Sequence, residues 1–186
     1  PCQLLADLLT LREHRGELAG QAVAFVGDGA CNMGNSWLLA GATAGVHVRI
    51  GAPDGYLPDA AVAERAREVA AATGGSVTLT HDPHEAVAGA GAVVTDTWVS
   101  MGKEGESEGR TAIFAPYAVT AELFAEAAPD ALLLHCLPAY RGKEVAAEVI
   151  DGPRSVVWDE AENRRHAQKA VLAWLLAQST AGEGPR

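Results

Sequence analysis

The chain has 186 residues, of which 48% are hydrophobic and 20% charged, a composition typical of a globular protein with one sizeable core. Its formal net charge of −10 argues against a nucleic-acid partner, because non-specific binders of phosphate backbones need a basic surface. No apolar run approaches the roughly 20 residues that cross a bilayer, so we expect no membrane partner either.

Segments with the patterns of helices and strands alternate along the chain. A helix is predicted to start at Asp59, its N-cap, and to stop at Gly74. The other predicted helices cover 2–14, 36–44, 83–88, 119–127, 142–150 and 160–178. Strands are predicted at 21–27, 46–50, 76–80, 92–96, 131–136 and 155–158. The glycine-rich stretch 102–109 is expected to be irregular, and the tail 179–186 to be disordered.

This alternation predicts an α/β fold, a Rossmann-like three-layer αβα arrangement with a mostly parallel open sheet. Ligands of such sheets bind beyond the carboxyl ends of the strands, where the strand order reverses. Polar segments follow three predicted strands, at 28–32, 96–101 and 135–138. We therefore expect the functional site at this edge of the sheet.

The turn after the first strand superficially resembles a dinucleotide-binding fingerprint. Asn32 stands where the third glycine of G-x-G-x-x-G belongs, and the second strand ends at Arg49-Ile50-Gly51 without an acidic residue for a ribose. A nicotinamide cofactor is therefore disfavoured. Asn32 is either a helix-capping residue or a ligand-binding one.

Three further residue types carry possible chemistry. Asp96, with a hydroxyl and backbone N–H groups four to five residues later, could hold an amino acid, or it could be a turn residue. Cys136 is either a reactive thiol or a small buried hydrophobe. Arg164, near the start of the last helix, could bind phosphate in a bidentate manner or pair with Glu160 on the same face.

Cysteine spacing predicts neither a metal site nor a disulfide framework. The three cysteines are Cys2, Cys31 and Cys136, and no two of them show ligand spacing. We expect reduced thiols, a cytoplasmic location, no metal and no cofactor.

Together the polar segments resemble the ornithine carbamoyltransferase family. The matching pieces, in family order, are PCQLLAD at 1–7, GDGACNMGNS at 27–36, DTWVSMG at 96–102, HCLP at 135–138 and DEAENR at 159–164. Each is weak alone, and the five in order are specific. The family often has Asn where this chain has Cys31.

The resemblance implies a role for each matching residue. Asn32, Asp96, Ser100 and Met101 would hold the backbone end of ornithine, while Cys136 and Asp96 would serve catalysis. Gln3, Cys136, Leu137 and Arg164 would contact carbamoyl phosphate. The resemblance also implies a cis bond between Leu137 and Pro138, and a mobile segment at 102–109 that closes over ornithine unless it is an inert surface loop.

The implied activity transfers the carbamoyl group from carbamoyl phosphate to the side-chain amine of ornithine, giving citrulline and phosphate in arginine biosynthesis or breakdown. The family has two domains, and residues 1–178 resemble the ornithine-binding one, with 1–16 and 160–178 as helices that bridge to the other. The carbamoyl-phosphate domain, with its Ser-Thr-Arg-Thr motif, is expected to be absent, which would leave the isolated chain inactive. The family's homotrimer forms largely through that domain.

Other functions stay open at this point. The amine acceptor could instead be acetylated ornithine, putrescine or aspartate, although a charged α-amino group suits Asp96. The chain could also be a non-enzymatic interaction module.

Overall fold

A computed structural model describes residues 2–99 and 107–181. Its helices are α1 (Cys2–Arg15), α2 (Asn32–Thr43), α3 (Ala60–Thr73), α4 (Pro83–Val87), α5 (Ser107–Phe114), α6 (Ala121–Ala125), α7 (Ala147–Ile150) and α8 (Val157–Ala181), with a 3-10 turn at Ala115–Tyr117. Its strands are β1 (Ala22–Val26), β2 (His47–Gly51), β3 (Ser76–Thr80), β4 (Ala92–Thr95) and β5 (Leu132–His135). Among the described residues, no helix is both long and apolar enough to cross a bilayer.

The five strands form one parallel sheet in the order β3-β2-β1-β4-β5. The chain moves outward from β1 to β3 on one side, and then returns to place β4 and β5 on the other. The strand order therefore reverses between β1 and β4, where adjacent carboxyl ends leave a crevice.

Each face of the sheet is covered by helices through its own apolar cluster. One cluster joins β1 and β2 to the helices α1, α2 and α3 through residues such as Leu11, Trp37 and Ile50. The other joins the opposite face to α4, α6 and α7 through Val87, Phe124 and similar residues. The prediction of a three-layer α/β fold is confirmed.

Local signals place the helix ends. Asp59 caps α3 by accepting hydrogen bonds from the backbone N–H groups of Ala61 and Val62, and Gly74 ends it with a φ of +83°, as predicted. At the start of α2 the cap is Cys31, whose sulfur accepts from the N–H of Gly34 at 3.4 Å. Asn32 is thus the first helical residue, and the capping role considered for it is wrong.

Two predicted elements, a strand and a helix, are much shorter in the structure than the local sequence pattern indicated. The strand expected at 155–158 is reduced to a single bridge between Leu133 and Ser155, because α8 begins at Val157. The helix expected over 142–150 is confined to Ala147–Ile150, because Gly142 adopts a φ of +80° and Val145 bridges to Val119.

Two segments predicted to be irregular are partly helical. Residues 107–109 of the stretch 102–109 begin α5, while 102–106 lie outside the described residues. The reason is tertiary: Arg110 lies over the rings of Tyr56 and Phe114 and forms a salt bridge with Asp28, which anchors the helix. The helix α8 extends to Ala181, so the tail predicted to be disordered is helical at 179–181, and 182–186 lie outside the described residues.

Two glycines allow the turn between β1 and α2 to close tightly. A Cβ atom on Gly34 would lie 2.3 Å from the carbonyl oxygen of Gly29, and one on Gly29 would lie 2.8 Å from Ile50 Cγ2. The N-terminus of α2 can therefore approach the carboxyl end of β1 only without side chains at these positions.

Gly34→Ala should destabilise the fold by about 1–3 kcal/mol, because the added methyl group forces the turn apart. Gly109→Ala is a matched control, since Gly109 is also the third residue of its helix and has nothing within 4 Å of a Cβ position. It should be neutral or stabilise by up to about 1 kcal/mol. Urea unfolding measures both, and equal unfolding free energies for the two variants would contradict the steric argument.

Candidate functional site

A cleft of about 340 Å³ lies at the carboxyl edge of the sheet, next to the point where strand order reverses. Its lining residues are Gln3, Asn32, Met33, Asp96, Thr97, Val99, Cys136, Leu137, Pro138, Tyr140 and Arg164. Six of the eight predicted site residues are therefore brought together in one cavity. The other two, Ser100 and Met101, lie outside the described residues.

Asp96 and Cys136 meet across the ends of β4 and β5. The Cys136 thiol lies 3.2 Å from Asp96 Oδ1, which also accepts a hydrogen bond from the backbone N–H of Thr97 at 2.7 Å. Burial, with the Asp96 charge adding to it, raises the pKa of the Cys136 thiol well above its ordinary range. At neutral pH Cys136 is consequently a neutral thiol that donates to a carboxylate, and not a resting thiolate.

Asn32 is exposed at the first turn of α2. Because Cys31 takes the cap position, the Asn32 side chain is left to face the cleft. Burial raises the pKa of the Cys31 thiol to about 11, so Cys31 caps the helix as a neutral group. Cys31, at the position where the family often has Asn, thus serves as the cap of α2 beside the cleft.

Gln3 and Arg164 join the first and last helices at the other side of the cleft. Arg164 Nη1 donates to Gln3 Oε1 at 2.5 Å. The alternative considered for Arg164, a salt bridge to Glu160, is not what forms, since Glu160 binds other partners. Arg164 Nε is buried and has no acceptor in the part of the chain that the structure describes.

Behind Gln3 lie two carboxyl groups that do not reach water. Asp7 is 0% exposed and Glu160 is 1% exposed. Burial raises the pKa of Asp7 to about 6, and burial with the Asp7 charge raises the pKa of Glu160 well above its ordinary value. Within the described residues Asp7 Oδ2 has no hydrogen-bond partner, so burial without full compensation favours the protonated form of the pair.

The backbone of the 135–140 turn is held by a second buried pair. His135 Nδ1 accepts from the N–H of Leu137 at 2.9 Å, and His135 Nε2 lies 3.4 Å from Glu144 Oε1, which also accepts from the N–H of Tyr140. Leu137 has a φ of +52°, a conformation that is costly for a residue with a side chain. The Leu137–Pro138 bond is cis, as predicted.

A third buried contact supports the segment that carries Asp96. Arg110 Nε donates to the carbonyl oxygen of Trp98 at 2.6 Å, and its guanidinium forms a salt bridge with Asp28 in the turn after β1. The two loops at the point of strand reversal are thereby tied to each other through α5.

Sequence reasoning missed the buried supports of the site. Glu160 was considered only as an alternative partner of Arg164, and no role was predicted for Asp7, His135 or Glu144. One signal was present: Gln3 and Asp7, like Glu160 and Arg164, are four residues apart and share a helix face. In the described part of the chain, no group of three or more His, Cys, Asp or Glu side chains is arranged to hold a metal ion.

Comparison with known proteins gives a consistent result. Residues 19–175 match the family described as aspartate/ornithine carbamoyltransferase, Asp/Orn binding domain. An ornithine carbamoyltransferase of Clavibacter michiganensis subsp. michiganensis is 68% identical over 179 residues, which are 96% of this chain and 58% of that protein. The chain thus spans less than two thirds of the length of this relative.

Solved structures agree with this match. That of the ornithine carbamoyltransferase from Pyrococcus furiosus superposes with a TM-score of 0.89 at 51% identity, covering 93% of this chain and 55% of that one. An N-acetyl-L-ornithine transcarbamylase superposes with a TM-score of 0.81 at 31% identity, covering 94% of this chain and 56% of that one.

Alkylation tests the contact between Cys136 and Asp96. Because burial and the Asp96 charge raise the pKa of Cys136, iodoacetamide should react with it slowly at pH 8. Asp96→Asn removes the charge, so the pKa should fall and the rate rise. Peptide mass spectrometry reports each thiol, with the exposed Cys2 as an internal reference whose rate should not change. An unchanged rate at Cys136 would mean that Asp96 does not act on the thiol.

Stability against pH tests the buried carboxyl pair. Since the pKa of Asp7 is raised from 3.8 to about 6 in the folded state, folding gains from its proton at low pH and loses that gain as pH rises from about 4 to 6. The side chain of Asp7→Asn does not titrate, so this variant has no such loss. The melting temperature of the variant minus that of the unmodified chain should therefore increase between about pH 4 and 6 and then stay constant. Asp54→Asn, at an exposed position, is the control. A difference independent of pH would contradict the raised pKa.

Proposed function

The chain belongs to the aspartate/ornithine carbamoyltransferase family, and on that premise we propose that it is the ornithine-binding half of an ornithine carbamoyltransferase. The activity would transfer the carbamoyl group of carbamoyl phosphate to the side-chain amine of ornithine, releasing citrulline and phosphate. The observation that carries the proposal is the single cleft that gathers Asn32, Asp96, Cys136 and Arg164 from four distant segments.

Asp96 is proposed to bind the α-ammonium group of ornithine. Its carboxylate faces the cleft, and among the described residues it binds a neutral thiol and one backbone N–H, both of which leave it able to accept from a cation. Asn32, across the crevice on α2, offers an amide to the carboxylate end of the same ligand. Ser100 and Met101 are assigned to this end from the family motif.

Arg164, Gln3 and Leu137 are proposed to serve carbamoyl phosphate. Arg164 is the only arginine or lysine that lines the cleft within the described residues. One guanidinium matches a phosphate poorly, since the leaving group carries more than one negative charge in the transition state. We infer that a carbamoyl-phosphate-binding half outside these residues supplies the remaining cations, and that the chain alone is inactive.

The reaction needs a neutral amine at the end of the ornithine side chain. With a lysine-like pKa near 10.4, deprotonation at pH 7 costs roughly 4–5 kcal/mol. As the amine nitrogen bonds to the carbamoyl carbon and the bond to the phosphate oxygen breaks, the amine proton must leave. We propose that Cys136 relays it: the sulfur accepts the amine proton while the thiol proton passes to Asp96, 3.2 Å away.

The remaining parts of the proposal concern the whole protein. Residues 1–178 would form the ornithine-binding domain, with 1–16 and 160–178 bridging to the other half. The complete enzyme would be a cytoplasmic homotrimer assembled mainly through that other half, and the three free cysteines suit a reducing compartment.

Acetylated ornithine is the acceptor that most needs to be distinguished, because one structural relative is an N-acetyl-L-ornithine transcarbamylase. Acetylation removes the α-ammonium charge and would leave Asp96 in the cleft without a cationic partner. Plain ornithine therefore fits this site better.

Steady-state kinetics of the complete protein test the proposal. Ornithine with carbamoyl phosphate should give citrulline, and acetylornithine should be a much poorer acceptor. Asp96→Asn should raise KM for ornithine by about 10- to 100-fold, the value of a hydrogen bond to a charged group, and should also lower kcat because an amide cannot accept the relayed proton. Cys136→Ala should mainly lower kcat.

Asp54→Asn, at an exposed position outside the cleft, is the matched control for Asp96→Asn and should leave both constants unchanged. Absence of citrulline formation by the complete protein, or a preference for acetylornithine, would overturn the proposal. A Cys136→Ala variant with undiminished kcat would remove the proton relay but leave the binding roles standing.

A further inference from the structure

The side-chain amide of Gln3 has both of its hydrogens committed away from the cleft. Gln3 Nε2 donates to Asp7 Oδ1 at 2.8 Å and to Glu160 Oε1 at 2.9 Å. A glutamine amide has only these two donor hydrogens. What Gln3 presents at the cleft is therefore its oxygen, which accepts from Arg164.

The reverse orientation of this amide would be strongly disfavoured. It would place the Gln3 oxygen against two carboxyl groups that are at most 1% exposed, and turn an NH2 group toward the Arg164 guanidinium. Two buried acceptors cannot satisfy one another, nor can two buried donors, and a buried polar group without a partner is destabilising. The two acids thus determine which end of the amide faces the ligand.

Asp7 and Glu160 also fix the position of the Gln3 side-chain amide. Glu160 Oε2 accepts from the backbone N–H of His135 at 2.8 Å, so one carboxyl group joins Gln3 on α1 to the end of β5, immediately before Cys136. Asp7, one turn after Gln3 on α1, holds the amide from the other side. Gln3 can neither rotate nor move without breaking contacts that water does not reach.

We propose that Asp7 and Glu160 are positioning residues that lock Gln3 as a hydrogen-bond acceptor, so that the site selects a phosphorylated donor with an amide N–H over its methyl counterpart. This inference rests on the proposed function and deepens it. A carbamoyl and an acetyl group have the same shape and the same carbonyl oxygen, and they differ only in NH2 against CH3. An acceptor oxygen distinguishes the two, whereas a freely rotating amide could turn its NH2 group to the carbonyl oxygen that both share.

Three substitutions separate this positioning role from packing. Asp7→Asn is the conservative variant, because it has nearly the same size and its amide oxygen can still accept from Gln3. Asp7→Leu keeps the number and branching of the side-chain heavy atoms and removes the acceptor. Glu160→Gln is isosteric, but its NH2 group must face either Gln3 Nε2 or the N–H of His135, both of which are donors.

The test uses two stable mimics of the donor with the complete protein: phosphonoacetamide, which carries NH2, and acetonylphosphonate, which carries CH3 in its place. Their competitive inhibition constants against carbamoyl phosphate give a selectivity ratio. The ratio should favour phosphonoacetamide in the unmodified protein and in Asp7→Asn. It should fall by about 3- to 10-fold in Asp7→Leu and Glu160→Gln, the value of one neutral hydrogen bond.

An unchanged ratio in both disruptive variants would overturn the proposal, as would a ratio near one in the unmodified protein. If the complete protein bound neither mimic and formed no citrulline, the proposed function itself would fail, which is a different outcome.

A measurement on the unmodified protein does not depend on the variants folding. With selective 15N-glutamine labelling, the side-chain amide signal of Gln3 is assigned by its loss in Gln3→Met. Both amide protons should exchange slowly with D2O and keep their chemical shifts when phosphonoacetamide binds. Fast exchange of either proton, or a large shift of one on binding, would show that the amide donates to the ligand and would contradict the lock.

Discussion

Two carboxyl groups face each other where α1 crosses α8, and neither reaches water. Asp7 and Glu160 are an unfavourable pair to bury, and three of their four oxygens accept from the Gln3 amide and from the backbone N–H of His135. These two partners belong to different parts of the cleft, the first helix and the end of β5. The hydrogen bonds that stabilise the two buried carboxyl groups therefore also hold Gln3 and the end of β5 in place at the cleft.

The parallel sheet supplies the other half of the arrangement. Asn32, Asp96 and Cys136 follow β1, β4 and β5, which are neighbours in the sheet although they are far apart in the chain. Gln3 and Arg164 come from the two terminal helices, which are joined side by side. The sheet edge therefore contributes the carboxylate of Asp96 and the thiol of Cys136 to the cleft. The pair of terminal helices contributes the guanidinium of Arg164 and the amide oxygen of Gln3.

The parts of the molecule that the sequence predicted well are those that local chemistry decides. The α/β alternation, the Asp59 cap and the polar segments after three strands all depend on residues close together in the chain. The helix at 107–114 was missed because its anchor, Arg110 with Asp28, joins residues 82 positions apart. The strand expected at 155–158 failed because its β-branched pattern competes with the start of α8.

The candidate site divides in the same way. Motifs identified the residues that line the cleft, since a family resemblance assigns residues that meet a ligand. Asp7 and Glu160 were not identified, because a carboxyl group on a helix is ordinarily a solvated one, and only the approach of α1 to α8 removes water from both. Their raised pKa values are a property of that contact and are not visible in either segment alone.

We propose that this cleft holds ornithine through Asp96 and the carbamoyl donor through Gln3 and Arg164. A crystal structure of the complete protein with a bisubstrate analogue, in which a phosphonoacetyl group is joined to the δ-amine of ornithine, tests it most directly. We expect the α-ammonium group within hydrogen-bond distance of the Asp96 carboxylate and the phosphonate in contact with Arg164, with both Gln3 amide hydrogens still donated to Asp7 and Glu160. An analogue bound outside the cleft, or inside it with the α-ammonium group remote from Asp96, would contradict the claim.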